Sequence, residues 1–295
     1  MPKRSRFDPD TFSAWRRRYE AGQSTKQIAV CFGVGGGTVY DRLKTMRVAF
    51  RSPSVSKRFY LVNEGAFSRI GTEETAYWLG FLYADGSVWG SRYVALWLKE
   101  KDAGHVERFR RFLGSGHPIR FDLKRKAAGI TVASKRLSDA LVEQGCTPRK
   151  SLKLSFPVLL PELESHFIRG YFDGDGSAYL GSGAPTISFV GNMDFLAAIQ
   201  ARINAGISGN GSLRPHCRSA AWYLIYRGEF QVPVVRDWRY RAATVWLSRK
   251  RERLDGYAPG KRKGYPTAGR YQIASTAGNV SADTLRRYIE AQKGI

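Results

Sequence analysis

Two stretches of this chain, rich in large apolar and small residues, read as the same helix end, and each stops at Asp-Gly. They are Trp78-Leu79-Gly80-Phe81-Leu82-Tyr83-Ala84-Asp85-Gly86 and Ile168-Arg169-Gly170-Tyr171-Phe172-Asp173-Gly174-Asp175-Gly176. Each follows a helix start signal: Thr72 with Glu73 and Glu74 before the first, Pro161 with Glu162 and Glu164 before the second. Asp85 and Asp175 lie ninety residues apart at the same point of what reads as a duplicated unit. Within each helix two small residues stand four apart, Gly80 and Ala84 in one, Gly170 and Gly174 in the other. That spacing makes a stripe where another backbone can come very close, so the two helices are expected to pack face to face.

The same order of elements follows each aspartate. Gly86 to Trp89 and Tyr93 to Lys99 flank Gly90-Ser91 as a hairpin, and Gly176 to Leu180 and Thr186 to Val190 flank a longer glycine-rich turn. A helix comes next, with Val106, Phe109, Phe112 and Leu113 in one copy and Phe195, Leu196, Ile199 and Ile203 in the other. Two more strands close each copy. Ile119 to Leu123 alternate with Arg120, Asp122 and Lys124, while Leu213, Pro215 and Cys217 alternate with Arg214, His216 and Arg218. One face is expected to bury apolar groups and the other to show charge.

Ahead of the duplication, Phe12, Trp15 and Tyr19 recur at helical spacing, with Asp10 or Thr11 as cap and Gly22 at the end. Residues Ser24 to Val34 read as a capped short helix ending in a glycine turn, and Thr38 to Lys44 as another. The group resembles a resolvase-type helix-turn-helix. Ala29 would let the helices approach, Gly33 would supply the turn, Val39 and Leu43 would face inward, and Tyr40, Asp41 and Lys44 would face DNA. Gly35, Gly36 and Gly37 weaken a helix start, which places it near Thr38. The same glycines make no phosphate-binding loop, because no strand precedes them and no Lys-Ser/Thr follows.

Charge narrows the class of partner. The 295 residues carry a formal charge of +23 with pI ≈ 10.2, which points to a polyanion, most simply nucleic acid. No apolar run approaches a spanning helix, so membrane is not an expected partner. Cys31, Cys146 and Cys217 are isolated from one another. They are expected in core packing, in a reducing, cytoplasmic compartment.

Two carboxylates brought to one spot at helix C-termini either share a proton or bind a divalent cation, and hard oxygen ligands with room for water suit Mg²⁺. A plainer reading is that each Asp-Gly only ends a helix, with Gly86 and Gly176 at C′. Recurrence at equivalent points of a repeat favours the chemistry. His105, His117, His166 and His216 are scattered without zinc spacing. Asp173 to Ser177 lacks the later glycine and glutamate of a calcium loop.

The two segments resemble the signature helices of a single-chain LAGLIDADG homing endonuclease. The resemblance implies an α+β fold of two pseudo-symmetric αββαββα half-domains packed through those helices. It also implies metal-dependent double-strand cleavage of a long DNA site across the minor groove, leaving short 3′ overhangs. Asp85 and Asp175 match the acidic metal ligands, with Gly86 and Gly176 beside them. Mg²⁺ is the implied cofactor, Mn²⁺ an implied substitute, and Ca²⁺ an ion that binds without supporting cleavage. Tyr83 stands where Asp173 stands in the second copy, a departure from the signature at a position that is usually not a ligand.

Gly145 to Ser151 with Leu154 to Pro157 resembles the family segment that brings a basic residue to the scissile phosphate, matching Lys150; Thr244 to Lys250 nominates Lys250 in the second copy. A sheet with a cationic face can lie in the major groove, and the candidates for base or phosphate contact are Arg92, Arg120, Lys124, Arg214, His216 and Arg218.

The expected organisation is a helix-turn-helix domain over 1–48, a basic linker over 49–71, half-domains over 72–157 and 158–257, and a basic, helical tail over 258–295. Because the repeat is internal, a monomer on double-stranded DNA is expected. The alternatives are a regulator that binds DNA without cutting it and an RNA-binding intron maturase on the same fold. Both aspartates and both lysines stand here, which favours cleavage.

Overall fold

The computed structural model describes residues 7–50, 60–150, 153–181, 184–207 and 209–257. Residues 51–59 of the expected linker and the whole expected tail, 258–295, lie outside the described residues. The chain divides into two compact units, Met1–Tyr60 and Leu61–Ile295. The later part of the linker stretch departs from expectation, since Ala66, Phe67 and Ile70 are buried in the core of the second unit.

The first unit holds three helices, α1 (Pro9–Glu20), α2 (Thr25–Phe32) and α3 (Gly36–Thr45). Asp8, not Asp10 or Thr11, caps α1, its Oδ1 accepting from Thr11 N at 2.6 Å. Pro9 at the first helical position, where no N–H is needed, allows that earlier start. Ser24 and Gln27 form a capping box on α2, and Gly33, with φ +64°, ends it. Trp15, Ile28, Val39 and Leu43 are fully buried between the helices. The start of α3 differs from expectation: it begins at Gly36, with Gly35 as N-cap. Glycine is well tolerated as an N-cap, which permits the helix to start there. Cys31 is exposed, contrary to the core placement expected of it.

The second unit contains two copies of one arrangement. In the first, α4 (Glu73–Ala84) leads into β1 (Gly86–Trp89) and β2 (Tyr93–Lys99), then α5 (Ala103–Phe112), β3 (Arg120–Asp122), β4 (Ala127–Ala133) and α6 (Lys135–Glu143). In the second, α7 (Pro161–Asp175) leads into β5 (Ser177–Tyr179), β6 (Thr186–Gly191), α8 (Met193–Gly206), β7 (Ser212–Pro215), β8 (Trp222–Arg227) and α9 (Gln231–Tyr240), with α10 (Ser248–Asp255) after it. Each copy makes an antiparallel four-stranded sheet, in the orders β1-β2-β4-β3 and β5-β6-β8-β7. This is the expected α+β class with two pseudo-symmetric αββαββα halves.

One hydrophobic core runs through both copies, with α4 and α7 at its centre. Tyr77, Trp78, Leu79 and Phe81 on α4 and Phe167, Ile168 and Phe172 on α7 are fully buried, so both helices are covered by protein on several faces, and α7 buries Arg169 and Asp173 along with its apolar groups. Their close approach is made by glycine. A Cβ on Gly80 would lie 2.0 Å from the carbonyl oxygen of Phe167, and one on Gly170 would lie 2.0 Å from that of Tyr77.

The outer strands depart from the expected alternation. Phe121 and Leu123 are 56% and 82% exposed, so β3, an edge strand, is wet on both faces and buries no apolar row. On β7 only Leu213 is half-buried; the strand ends at Pro215, and His216, Cys217 and Arg218 belong to the connection that follows. Cys217 is exposed, and Cys146 alone of the three thiols is buried.

Candidate functional site

Because α4 and α7 run parallel through the glycine contacts, they finish together. A Cβ on Gly174 would meet Ala84 Cβ at 2.3 Å and the Asp85 carboxylate at 3.5 Å. Asp85 is the C-cap of α4, and Asp175 is the last residue of α7. The two aspartates are therefore delivered to one place. Gly86 and Gly176 do not act as left-handed helix stops: Gly86 is the first residue of β1, and Gly176 is extended, at φ −75° and ψ 159°. They are required for room. A Cβ on Gly86 would fall 2.6 Å from the Leu82 carbonyl oxygen, and one on Gly176 would fall 2.1 Å from the Phe172 ring.

Among the described residues neither carboxylate accepts a hydrogen bond or joins an ion pair. Both side chains reach solvent, yet protein crowds the helix ends around them. Loss of hydration, with the charge of Asp175 second, pushes Asp85 up to about 6, and loss of hydration also raises Asp175. Lys250 and Lys150 pull both back. Two like charges without a direct partner at helix C-termini form a cation-seeking centre. Among the described residues no group of three or more His, Cys, Asp or Glu is placed to hold a metal ion; the oxygen donors at this spot are the two carboxylates, of the hard kind that binds divalent cations together with water.

Lys150 and Lys250 both converge on this end. Lys150 Nζ donates to the Gly86 carbonyl. Lys250 is buried and donates to the carbonyls of Phe172, Gly174 and Gly176 at 2.6, 2.9 and 2.7 Å. Loss of hydration brings its ammonium down to about 8, partly offset by Asp173 and Asp85. The Gly86 and Gly176 carbonyls, expected beside a metal, thus accept from lysine ammonium groups here.

A buried polar network below the aspartates had no forecast. Asp173, wholly buried and raised by burial, accepts from Leu247 N–H at 2.7 Å and from the Tyr77 hydroxyl at 2.9 Å. Arg169, also wholly buried, donates to Glu73 at 2.6 Å and to the carbonyls of Val245 and Arg239. Glu73 in turn accepts from Thr244 N–H at 2.7 Å and Val245 N–H at 3.2 Å. The Arg239 guanidinium lies 3.7 Å over the Phe172 ring, and its nitrogens make no hydrogen bond among the described residues. The signal that could have found this network was an arginine and an aspartate inside an otherwise apolar helix, since buried charges are kept only when paired.

The outward faces of the sheets mix aromatic and basic groups. Cross-strand register puts Trp97, Gly129 and Arg120 on one face of the first sheet, with Trp89 and Tyr93 stacked on that face at 5.5 Å. Gly129 makes room for the Trp97 indole, whose ring a Cβ would meet at 2.3 Å. Arg92 sits in the β1–β2 turn and Lys124 in the β3–β4 turn, at opposite ends of the sheet. On the second sheet Arg214 lies beside Tyr223, and Arg227 is exposed. The His216 ring lies 5.2 Å from that of Tyr223, tilted at 33°, and Arg218 lies in the turn. Trp89, Trp97, Tyr223 and Arg227 are not among the expected contact residues, which rest on the cations of the outer strands and turns. In the first unit Tyr40, Asp41 and Lys44 are exposed on α3.

No family model and no curated protein matches the sequence. Among solved structures, the chain is similar to meganuclease I-SmaMI bound to uncleavable DNA, with 11% identity and TM-score 0.43 over 63% of this chain and 87% of that one. It is similar to the LAGLIDADG homing endonuclease I-LtrWI bound to target DNA, with 11% identity and TM-score 0.43 over 79% and 98%. It is also similar to full-length DUF199/WhiA from Thermatoga maritima, with 13% identity and TM-score 0.42 over 78% and 72%. The arrangement in this chain is two matched α+β half-domains joined through paired glycine-bearing helices that end in aspartates. No helix among the described residues is long and apolar enough to cross a membrane.

Proposed function

We propose that the protein is a site-specific DNA endonuclease of the LAGLIDADG type that cuts both strands of a long duplex target as a monomer. One observation carries the reading. Two carboxylates without a direct partner, Asp85 and Asp175, sit side by side where parallel helices end, with an ammonium group from each half beside them.

The reaction is hydrolysis of one phosphodiester in each strand by water, in line with the leaving 3′ oxygen. Asp85 and Asp175 would hold divalent metal, Mg²⁺ by preference with Mn²⁺ as substitute, which when bound supplies Lewis acidity and acidifies water. Lys150 and Lys250 put positive charge where the phosphate gains negative charge on becoming pentavalent. Gly86 and Gly176 carbonyls would join a metal shell only where the lysines give them up. Arg92, Arg120, Lys124 and Arg214, with the aromatic groups around them, supply phosphate and base contacts on the two sheets. Residues 1–48 add a helix-turn-helix contact through Tyr40, Asp41 and Lys44.

The test is cleavage of a randomised duplex library with Mg²⁺, comparing the intact protein with Asp85→Asn and Asp175→Asn and sequencing the ends. Defined double-strand ends made only by the intact protein support the reading. Selection of duplexes without cutting would replace it with a binding scaffold, and selection of structured RNA would replace it with a maturase.

A further inference from the structure

The signature position at which the two helices differ, Tyr83 in one and Asp173 in the other, has the same task in both halves and performs it with opposite chemistry. In the first half Tyr83 is fully buried and its hydroxyl donates to the Gln144 carbonyl. The next residue, Gly145, has φ +88°, and a Cβ there would meet the Tyr83 hydroxyl oxygen at 2.2 Å. Cys146 follows, with its Sγ 3.6 Å from the Leu82 carbonyl oxygen. The turn is thus wrapped round the tyrosine hydroxyl, and Lys150 follows five residues after Gly145, across a second turn at 148–149. In the second half Asp173 accepts from the N–H of Leu247, the N-cap of α10, and Lys250 stands three residues on in its first turn.

We infer that Tyr83 and Asp173 are positioning residues, each holding the segment that carries one lysine against its own helix end, and so each governing one strand. This rests on the nuclease reading of Lys150 and Lys250. The two are not interchangeable. A carboxylate at 83 would face a carbonyl, acceptor against acceptor, and a tyrosine at 173 has no room in a fully buried site beside Tyr77 and Tyr240. The departure from the signature in the first helix is then a change of donor for acceptor, matched by the segment it holds.

Two readouts test this, one of them independent of cutting. The first is strand-resolved cleavage of a duplex recovered from the randomised library, with Mg²⁺ and with each strand end-labelled. Tyr83→Phe should slow one strand and Asp173→Leu the other, each by about tenfold or more, since small misplacement near the chemistry carries a large cost. Nicked duplex should accumulate, and Asp173→Asn, which keeps an acceptor for Leu247 N–H, should restore even cutting. Equal slowing of both strands, or of neither, overturns the inference.

The second readout is competitive acylation of the free protein with acetic anhydride, read lysine by lysine by mass spectrometry. Tyr83→Phe should raise the reactivity of Lys150 and leave Lys250 unchanged, and Asp173→Leu should do the reverse. If both lysines change together, or neither changes, the anchoring is not local and the inference fails. Should Asp173→Leu not fold, Tyr83→Phe with Asp173→Asn still decides. A wild-type protein that cuts nothing defeats the nuclease reading, while the acylation pattern still judges the anchoring.

Discussion

Gly80 and Gly170 meet reciprocally: each is placed so that a Cβ would strike the carbonyl oxygen three residues before the other glycine, Phe167 in one direction and Tyr77 in the other, both at 2.0 Å. The contact is backbone on backbone, so no rotamer change can relieve a clash. It also sets where both helices finish, and hence where Asp85 and Asp175 stand.

Gly80→Ala and Gly170→Ala should each lower stability by about 1–3 kcal/mol or more, the range for overpacked cores. Thermal unfolding measures it. The double variant should lose less than the sum, because one separation of the helices relieves both clashes. Simple additivity would mean that the helices do not touch there.

Asp85 should make stability depend on pH in an unusual direction for a carboxylate. Its folded-state value, about 6, lies above its ordinary 3.8. Raising the pH through this window removes the proton from the unfolded chain first and so favours unfolding, and the whole penalty is present above pH 6. Asp85→Asn should therefore melt above wild type at pH 7.5 and with it near pH 4. Mg²⁺ should raise the melting temperature of wild type at pH 7.5 more than that of Asp85→Asn. An equal rise in both would remove Asp85 from the metal site.

Cleavage should follow a bell in pH, with an acid limb near 6 from Asp85 and an alkaline limb near 8 from Lys250. More Mg²⁺ should move the acid limb downward, because metal competes with the proton. Lys250→Arg, whose guanidinium keeps its charge, should flatten the alkaline limb if the charge of Lys250 is what matters. An unchanged alkaline limb in that variant would assign it to another group.

Duplex affinity should fall steeply with salt, at a slope of about 0.9 in log affinity per phosphate neutralised. Arg92→Ala, Arg120→Ala and Lys124→Ala should each reduce the slope by up to about one such step if they touch phosphate. A slope that ignores all three would move the DNA away from the first sheet.

Much of the frame was legible because it depends on neighbours in sequence. Thr72 caps α4, Pro161 opens α7, and the β1–β2 hairpin falls where alternation and Gly90-Ser91 put it. The small-residue stripes marked the helix contact for the same reason. What failed depended on distant or absent neighbours. An alternating pattern reads the same whether or not a second layer covers it, and β3 at the sheet edge has none. Asp173 finds Leu247 74 residues away and Glu73 finds Thr244 171 residues away. No local spacing encodes such bonds. The lysines were nominated by resemblance, and the carbonyls that receive them follow from the third dimension alone.

The donor–acceptor reversal at Tyr83 and Asp173 limits how this molecule can be rebuilt. Neither half can simply be printed twice to give a symmetric dimer, nor can a signature helix be transplanted alone. The cassette that moves intact runs from the helix to the lysine it holds, 73–150 or 161–250, and a chimera joined inside it would separate a hydroxyl or a carboxylate from the backbone group it bonds, the Gln144 carbonyl or the Leu247 N–H.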